Sequence, residues 1–185
     1  MVDPKPNSYP SDDDASPEVA AGLSHLERDE DGWHARMVDV GDKDETVRVA
    51  VAHGSVRFPG ELAADLLAGR GPKGPLEEVA RTAGILGAKR TAELVPMCHT
   101  LGLDYVTIDF SVPAPDRIDI RCETACRGRT GVEMEALTGA SVAALTIYDM
   151  TKAVARGASI ERVELIEKRG GRSGHWVRAG HTPSA

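Results

Sequence analysis

A carboxylate and an amine three residues apart, Asp149 and Lys152, are the pair of side chains in this sequence best suited to acid–base chemistry. On a helix they would lie one turn apart on the same side, where such a pair can exchange protons with a bound molecule. The alternative is an exposed ion pair worth less than about 1 kcal/mol. Geometry alone leaves both interpretations open.

Two further carboxylates, Glu133 and Glu135, precede that pair in a segment predicted as a strand over 132–137. Alternating side chains would place both on one face of the strand, with Met134 on the other. Paired carboxylates repel each other unless a cation lies between them. A solvated sheet face is the alternative, so the segment 131–152 is at this point only a candidate site.

A cluster of cations and glycines near the carboxyl end is typical of an anion-binding loop. Lys168 and Arg172 enclose two glycines, and a serine and a third glycine follow. The backbone N–H groups and cations of such a loop can bind phosphate, although basic glycine-rich loops are common. No acidic residue follows Glu167, so this end of the chain is locally cationic.

Two isolated residues could join the same chemistry. Lys73 lies in Gly-Pro-Lys-Gly, a flexible setting from which it could swing onto a substrate, without a Walker A context. His99 ends the segment Pro-Met-Cys-His and could orient a polar substrate or transfer a proton. A lone histidine is more often structural, so neither residue identifies a site alone.

The elements predicted around these residues form an α+β domain. Several strands joined by hairpins, together with a few helices, indicate a mostly antiparallel sheet packed with helices. The predicted strands are 46–58, 105–112, 117–127, 132–137 and 160–166, and the predicted helices are 59–68, 76–94 and 138–157.

The last of these helices, with Thr138 as its N-cap, is apolar on two sides. One stripe at helical spacing consists of Val142, Ala143, Thr146, Ile147, Met150, Ala153 and Val154. The far side carries Leu145 and Tyr148 beside the Asp149–Lys152 pair. We therefore expect the sheet to cover one side and a second subunit to cover the other.

Charge and composition limit the class of protein. The net charge of −7 comes entirely from residues 1–31, which carry nine acidic and two basic side chains, so the remainder is neutral. We predict a disordered acidic tail over 1–23, one catalytic domain over 24–176 and a flexible tail over 177–185. No apolar run is long enough for a membrane span, and no signal sequence is seen. A cytoplasmic protein with free thiols and no nucleic-acid surface is expected.

Several motifs together resemble the MoaC family, the cyclic pyranopterin monophosphate synthases of molybdenum cofactor biosynthesis. The resemblance covers 37–174 and is most specific over 130–154. The motifs that carry it are Met37–Val40, Glu45–Arg48, Ala83–Ile85, Ala88–Thr91, Pro96–His99, Glu123–Thr124, Thr130–Thr138, Ala140–Met150, Lys152–Val154, Gly170–Gly171 and Ser173–Gly174.

The resemblance implies a lyase activity in a ferredoxin-like α+β fold. The substrate would be (8S)-3′,8-cyclo-7,8-dihydroguanosine 5′-triphosphate, a GTP-derived molecule that is rearranged to cyclic pyranopterin monophosphate, a pterin with a cyclic phosphate, with release of pyrophosphate. Acid–base catalysis requires no cofactor, although magnesium could accompany the triphosphate. The resemblance also implies a homo-hexamer, a trimer of dimers, with active sites at subunit junctions.

The site residues implied by the resemblance fall into two groups, and no metal ligands are among them. Asp149 and Lys152 would be catalytic. The substrate-binding residues would be Met97, Cys98, His99, Glu133, Met134, Glu135, Lys73, Arg48, Lys168 and Arg172, of which Arg48, Lys168 and Arg172 are assigned to phosphate mainly on chemical grounds. Thr100 and His175 depart from residue types common in the family, and this leaves details of binding open.

Two other functions are compatible with the residues. A metal-dependent phosphohydrolase would use His99, Glu133, Glu135 and Asp149 as ligands, although no complete motif such as His-Glu-x-x-His is present. A non-catalytic nucleotide-binding subunit would bind GTP analogues without turning them over.

Overall fold

A five-stranded antiparallel sheet is the frame of this chain. The computed structural model describes residues 26–29 and 32–182. Its strands are β1 (Leu26–Asp29), β2 (Gly32–Ala35), β3 (Thr46–Arg57), β4 (Tyr105–Ala114), β5 (Arg117–Gly128), β6 (Ser159–Arg169) and β7 (Trp176–Val177). The large sheet has the order β4–β5–β3–β6–β7, and β1 and β2 form a separate antiparallel pair.

Four helices accompany the sheet. They are α1 (Ala63–Asp65), which continues as a π-helical turn over Leu66–Arg70, α2 (Leu76–Lys89), α3 (Thr91–Leu94) and α4 (Glu133–Thr151). Helix α4 packs against β3, β5, β6 and α2. The predicted α+β class is confirmed, and the arrangement is compatible with a ferredoxin-like fold.

The strand patterns explain which face of the sheet is covered. In β4, Ile108 is buried and its neighbours Thr107 and Asp109 are exposed, as the alternation of residue types predicted. In β3, Ala50 and Ala52 are fully buried. Because these side chains are small, α4 can lie close to the strand, and this accounts for a core built with few aromatic residues.

The two long helices touch through glycine. A Cβ atom on Gly84 of α2 would lie 2.8 Å from the backbone oxygen of Gly139 in α4, and 2.3 Å from the Ile108 side chain. A Cβ atom on Gly139 would lie 2.7 Å from the Cys122 Sγ atom. Any side chain at these positions would push the helices apart, so glycine sets the distance between α2, α4 and the sheet.

The start of α4 differs from the sequence prediction. The segment 132–137 is not a strand, because the helix begins at Glu133 and Thr138 lies inside it rather than at its N-cap. A run of Glu, Met, Glu, Ala and Leu favours helix, and acidic residues in the first turn interact favourably with the helix dipole. The alternation of polar and apolar residues over this segment was therefore misleading.

Other predicted boundaries also shift. Helix 59–68 is replaced by α1 and the π-helical turn, and helix 76–94 is interrupted at Arg90, which has non-helical torsions. The last helix ends at Thr151 instead of near residue 157, so Ala153 and Val154 are exposed instead of belonging to its apolar stripe. Strand 46–58 matches β3 to within one residue.

The described residues form two compact units, divided in sequence between Asp39 and Val40. The β1–β2 pair belongs to the first unit, and the large sheet with its helices belongs to the second. This division falls inside the predicted domain over 24–176, whose limits stay a prediction. Within the described residues, no helix is both long and apolar enough to cross a membrane.

Of the two predicted tails, only the carboxyl-terminal one includes residues that the structure describes. The acidic segment 1–23 lies outside the described residues. The carboxyl-terminal tail was predicted to begin at 177, whereas Val177 pairs with Glu167 in β7 and the Arg178 Nε atom donates to the Leu165 carbonyl oxygen at 2.7 Å. Paired backbone therefore continues across that predicted limit.

We predict that Gly84→Ala destabilises the protein by about 1–3 kcal/mol, because the new methyl group would overlap backbone that cannot move independently. Gly102→Ala is the matched control, since nothing lies within 4 Å of a Cβ atom there. Urea unfolding at one fixed protein concentration measures both. Equal midpoints for the two variants would contradict the proposed role of the glycine contact.

Candidate active site

Three charged side chains meet at the carboxyl end of α4. The Lys73 Nζ atom donates to Asp149 Oδ2 at 2.7 Å and to the Asp149 backbone oxygen at 2.9 Å. The Lys152 Nζ atom lies 2.8 Å from Asp149 Oδ1. All three side chains remain about half exposed, so a bound molecule could reach them. The predicted Asp149–Lys152 pair is thus present, with Lys73 as a third member.

The charge state of this triad follows from its hydrogen bonds. Those from Lys152 and Lys73 lower the pKa of Asp149 from 3.8 to about 2. The hydrogen bond to Asp149 raises the pKa of Lys152 above 10.5. At neutral pH the free protein therefore holds an aspartate carboxylate and a Lys152 ammonium, so the lysine is the group with a proton to give.

Lys73 reaches the triad from the loop between the π-helical turn and α2. Gly69 and Gly74 on either side of it adopt φ values of 78° and 85°, a left-handed conformation that glycine accepts without strain. The two contacts with Asp149 cross 76 positions of sequence. From the sequence, Lys73 was predicted only to be able to swing onto a substrate. In the structure it is hydrogen bonded to Asp149, the catalytic candidate.

A cationic cavity of about 600 Å³ lies at the other end of α4. Five cations and three carboxylates contribute to its wall, giving a local excess of positive charge suited to an anion. The lining residues are Asp42, Lys43, Asp44, Thr46, Arg48, Arg129, Thr130, Gly131, Glu133, Lys168, Gly171, Arg172 and Ser173. The three predicted phosphate ligands Arg48, Lys168 and Arg172 are all among them.

Arg48 is oriented by the backbone around it. Its Nε and NH2 atoms donate to the carbonyl oxygens of Gly128 and Arg129, each at 3.3 Å. A Cβ atom on Gly171, where φ is 74°, would lie 1.7 Å from the Arg48 NH1 atom. Only glycine can therefore pass this close to the guanidinium group, which explains part of the glycine content of the loop.

The amino end of α4 contributes to the same cavity. The Lys168 Nζ atom lies 3.8 Å from Glu133 Oε1 and is hydrogen bonded to the Ser173 hydroxyl. Helix N-termini also favour anions, because backbone N–H groups point outward there. The Lys168 ammonium therefore lies close enough to offset part of the Glu133 charge.

Glu135 does not lie beside Glu133. Residues two apart on a helix point in different directions, and Glu135 is only 4% exposed whereas Glu133 faces the cavity. Burial raises the pKa of Glu135, and the nearby Glu133 charge adds to the effect. The predicted shared face for these carboxylates is wrong, because it depended on a strand.

The segment 97–99 follows α3 and is half-buried. Burial raises the pKa of the Cys98 thiol, and the charge of Glu135 contributes. Burial and the charge of Glu135 also raise the pKa of the Cys126 thiol. The predicted binding residues Cys98 and Glu135 thus share one environment, while Met97 and His99 flank it in sequence and Met134 is exposed on α4. All three cysteines are free, as expected.

The two clusters lie far apart within one chain. Helix α4 runs from Glu133 to beyond Asp149, so at a rise of ~1.5 Å per residue the backbone positions of these two residues are about 24 Å apart along the helix axis. The catalytic candidates and the phosphate candidates of one chain therefore lie at opposite ends of α4.

The separation of Glu133 and Asp149 also argues against a metal site that contains both residues. Glu133 and Asp149 cannot bind one ion at this distance, since first-shell oxygen ligands lie within about 2.6 Å of a metal. Within residues 26–29 and 32–182, no group of three or more His, Cys, Asp or Glu side chains is placed to hold a metal ion.

The cavity contains two cations that were not predicted from the sequence, Lys43 and Arg129. Arg129 directly follows β5, and its backbone oxygen accepts a hydrogen bond from Arg48. The only signal in the sequence was its position between Gly128 and Gly131, at the end of a predicted strand. Strand pairing, which the sequence does not specify, brings it beside β3.

Comparison with known proteins gives one consistent result. The MoaC family matches residues 37–171. A cyclic pyranopterin monophosphate synthase of Chloroflexus aurantiacus (strain J-10-fl) is 53% identical over 157 residues, covering 84% of this chain and 94% of the relative. The protein of that name from Novosphingobium aromaticivorans is 51% identical over 157 residues, covering 85% and 98%. That from Thermomicrobium roseum is 55% identical over 161 residues, covering 85% and 94%.

We predict that the Asp149 carboxylate titrates near pH 2 and that Lys152→Ala moves the midpoint toward 3.8, because one of two ammonium partners is lost. Since the folded-state pKa is the lower one, any stability from this carboxylate is present above the ordinary pKa and is lost as pH falls through about 2. Carbon-detected NMR of the carboxyl groups measures the midpoint.

The matched control is Lys89→Ala, which removes an exposed lysine of α2 that has no contact with Asp149. It should leave the Asp149 midpoint where it is in the unmodified protein. A midpoint that is the same in Lys152→Ala and Lys89→Ala would show that the Lys152 contact does not govern the charge of Asp149.

Proposed function

The chain belongs to the MoaC family, and on that premise we propose that it is a cyclic pyranopterin monophosphate synthase of molybdenum cofactor biosynthesis. The reaction is the conversion of (8S)-3′,8-cyclo-7,8-dihydroguanosine 5′-triphosphate to cyclic pyranopterin monophosphate with release of pyrophosphate. This assigns the enzyme to the lyases. The observation that carries the proposal is the Lys73–Asp149–Lys152 triad, combined with the cationic cavity.

The triad suits a reaction that opens and recloses rings by proton transfer. Its Lys152 ammonium can donate a proton to a substrate atom, and the resulting amine can then accept one in a later step. Asp149 stays ionised in the free protein and raises the pKa of Lys152. In this assignment Lys152 is the acid of the first transfer, and Asp149 and Lys73 hold it in place until substrate enters.

The cavity suits the other half of the substrate. A triphosphate carries several negative charges, and Arg48, Lys168 and Arg172 offer both charge and directed N–H donors. Stabilising the charge that develops on the leaving pyrophosphate is the main contribution a protein makes to such a displacement. No redox cofactor takes part in the proposed reaction, and a magnesium ion bound to the triphosphate would enter as part of the substrate.

The active site is proposed to form between two copies of the chain. The triad of one copy and the cavity of the other would enclose one substrate, since the two are about 24 Å apart within a chain. Leu145, on the outward side of α4, is 58% exposed and gives a second copy an apolar contact. We propose that the assembly is a hexamer, a trimer of dimers, and that the enzyme is cytoplasmic.

The remaining proposed substrate contacts come from residues 97–99 and from Met134 and Glu135. Cys98 and Glu135 share a partly buried environment near the amino end of α4, and Met97, His99 and Met134 lie next to them in sequence. These residues would bind the base-derived half of the substrate, between the phosphates and the triad.

Incubation with the cyclic dihydroguanosine triphosphate tests the function directly. We expect the unmodified protein to give pyrophosphate and the pterin product, detected by mass, and Lys152→Ala to give none while binding substrate normally. Lys89→Ala, which alters an exposed cation of α2, is the control and should remain active. Product formation by Lys152→Ala at near the normal rate would remove Lys152 from the mechanism.

The same assay separates the alternatives. A metal-dependent phosphohydrolase would cleave free GTP and lose activity with a chelator, and a non-catalytic subunit would bind GTP analogues and release no product. Conversion of the cyclic substrate in the presence of chelator, with GTP left intact, would exclude both.

Mixing two defective variants tests the shared site. Lys152→Ala and Arg172→Ala subunits, dissociated and reassembled together, should recover up to about a quarter of normal activity at low substrate, because half the dimers are mixed and each has one intact site. Lys152→Ala mixed with Asp149→Asn is the control, since both changes affect the triad and leave no intact site. Equal activity in the two mixtures would indicate a site within one chain.

A further inference from the structure

The cationic loop is a hairpin between β6 and β7 with little backbone support. Strand β7 has two residues, which pair with Glu167 and Lys168. Three glycines in the loop, at 170, 171 and 174, have φ values of 97°, 74° and 64°. So much glycine leaves the unbound loop with many accessible conformations. The Lys168–Ser173 hydrogen bond and a turn bond from Gly174 N–H to the Gly171 oxygen lie within the loop, so a further interaction must hold its ends together.

A side-chain hydrogen bond closes the base of this hairpin. The His175 Nε2 atom lies 2.9 Å from Glu167 Oε1, and the Glu167 side chain is only 3% exposed. Glu167 pairs with Val177, so His175 lies on the same face of the ladder, diagonally across from it. Arg169 is the next residue on that face, with its Nε atom 3.5 Å from the same oxygen.

We propose that His175 is a positioning residue, whose hydrogen bond to Glu167 holds the loop 168–174 in the conformation that binds phosphate. The inference rests on the proposed function of the cationic cavity, because only then does the loop conformation affect catalysis. His175 does not line the cavity. It would act through the residues that do, Lys168, Arg172 and Ser173.

The placement of the bond favours this role over a merely local one. Glu167 and His175 lie just outside the two ends of the loop, so their contact limits how far those ends can separate. On the far side of β7, Arg178 donates to the Leu165 carbonyl and lies 3.4 Å from Glu164, so the strand is attached there independently. Loss of the His175 contact would therefore release the loop and leave β7 attached.

Binding of inorganic pyrophosphate to the full-length protein, measured by titration calorimetry at fixed ionic strength, tests the proposal. His175→Ala should weaken binding roughly tenfold, the size expected for losing one hydrogen bond to a charged group. His175→Gln should restore it, since the glutamine amide places an N–H group near the position of the imidazole Nε2 atom. Unchanged binding in His175→Ala, or equal loss in both variants, would overturn the proposal.

A kinetic measurement distinguishes positioning from general damage. With the cyclic triphosphate, His175→Ala should raise KM by a similar factor and leave kcat nearly unchanged. His53→Ala is the matched control, because it removes another histidine–carboxylate contact on the same sheet, 3.3 Å from Asp119, outside the loop. If His53→Ala weakens pyrophosphate binding as much as His175→Ala does, the effect is one of sheet stability and the proposal fails.

Arg172→Ala separates this inference from the proposed function. If Arg172→Ala binds pyrophosphate as well as the unmodified protein does, the cavity is not the phosphate site and both conclusions fall. If Arg172→Ala loses binding and His175→Ala keeps it, the cavity stands and the positioning role is rejected. A loss in both, with recovery in His175→Gln, supports both.

Discussion

The close packing of α4 against the sheet and α2 is the contact on which the rest of the second unit depends. It is made by small residues, with Ala50 and Ala52 below the helix and Gly84 meeting Gly139 beside it. A helix held this tightly over nineteen residues is a rigid spacer. Its two ends carry the two groups of functional residues, and its length sets their separation.

The two ends use charge in opposite ways. At the carboxyl end an exposed carboxylate, Asp149, lies between two ammonium groups, which keep it ionised and accessible to a ligand. At the amino end the cavity collects cations, while Glu135 is buried behind it with a raised pKa. Within one chain, the proposed proton-transfer group and the proposed anion site are thus separated in space.

If the proposed site assignments hold, this separation makes the single chain incomplete as a catalyst. Neither end contains both a proton-transfer group and the cationic cavity, and the long helix cannot bend to bring them together. Two paired copies could form two complete sites, because each copy would supply its triad to one site and its cavity to the other. The outward apolar residues of α4, of which Leu145 is the most exposed, are placed to support such pairing.

Sequence analysis was most accurate where local chemistry decides the outcome. Strand β3, the alternation in β4 and the one-turn spacing of Asp149 and Lys152 depend on neighbours a few residues away, and all three are confirmed. It failed over 132–137, where helix-forming residues happened to alternate in polarity. Both periodicities were compatible with so short a segment, and only packing against the sheet decides between them.

The sequence by itself determined which residue types are available, which family the chain resembles and which short-range pairs can form. Only the tertiary structure decided which of those residues meet. Lys73 joins Asp149 across 76 positions, Arg129 joins Arg48 across 81, and Glu133 is carried away from Asp149 by the helix between them. Contacts of this kind depend on strand order and helix packing, whose energies are summed over the whole core and are not encoded in any one motif.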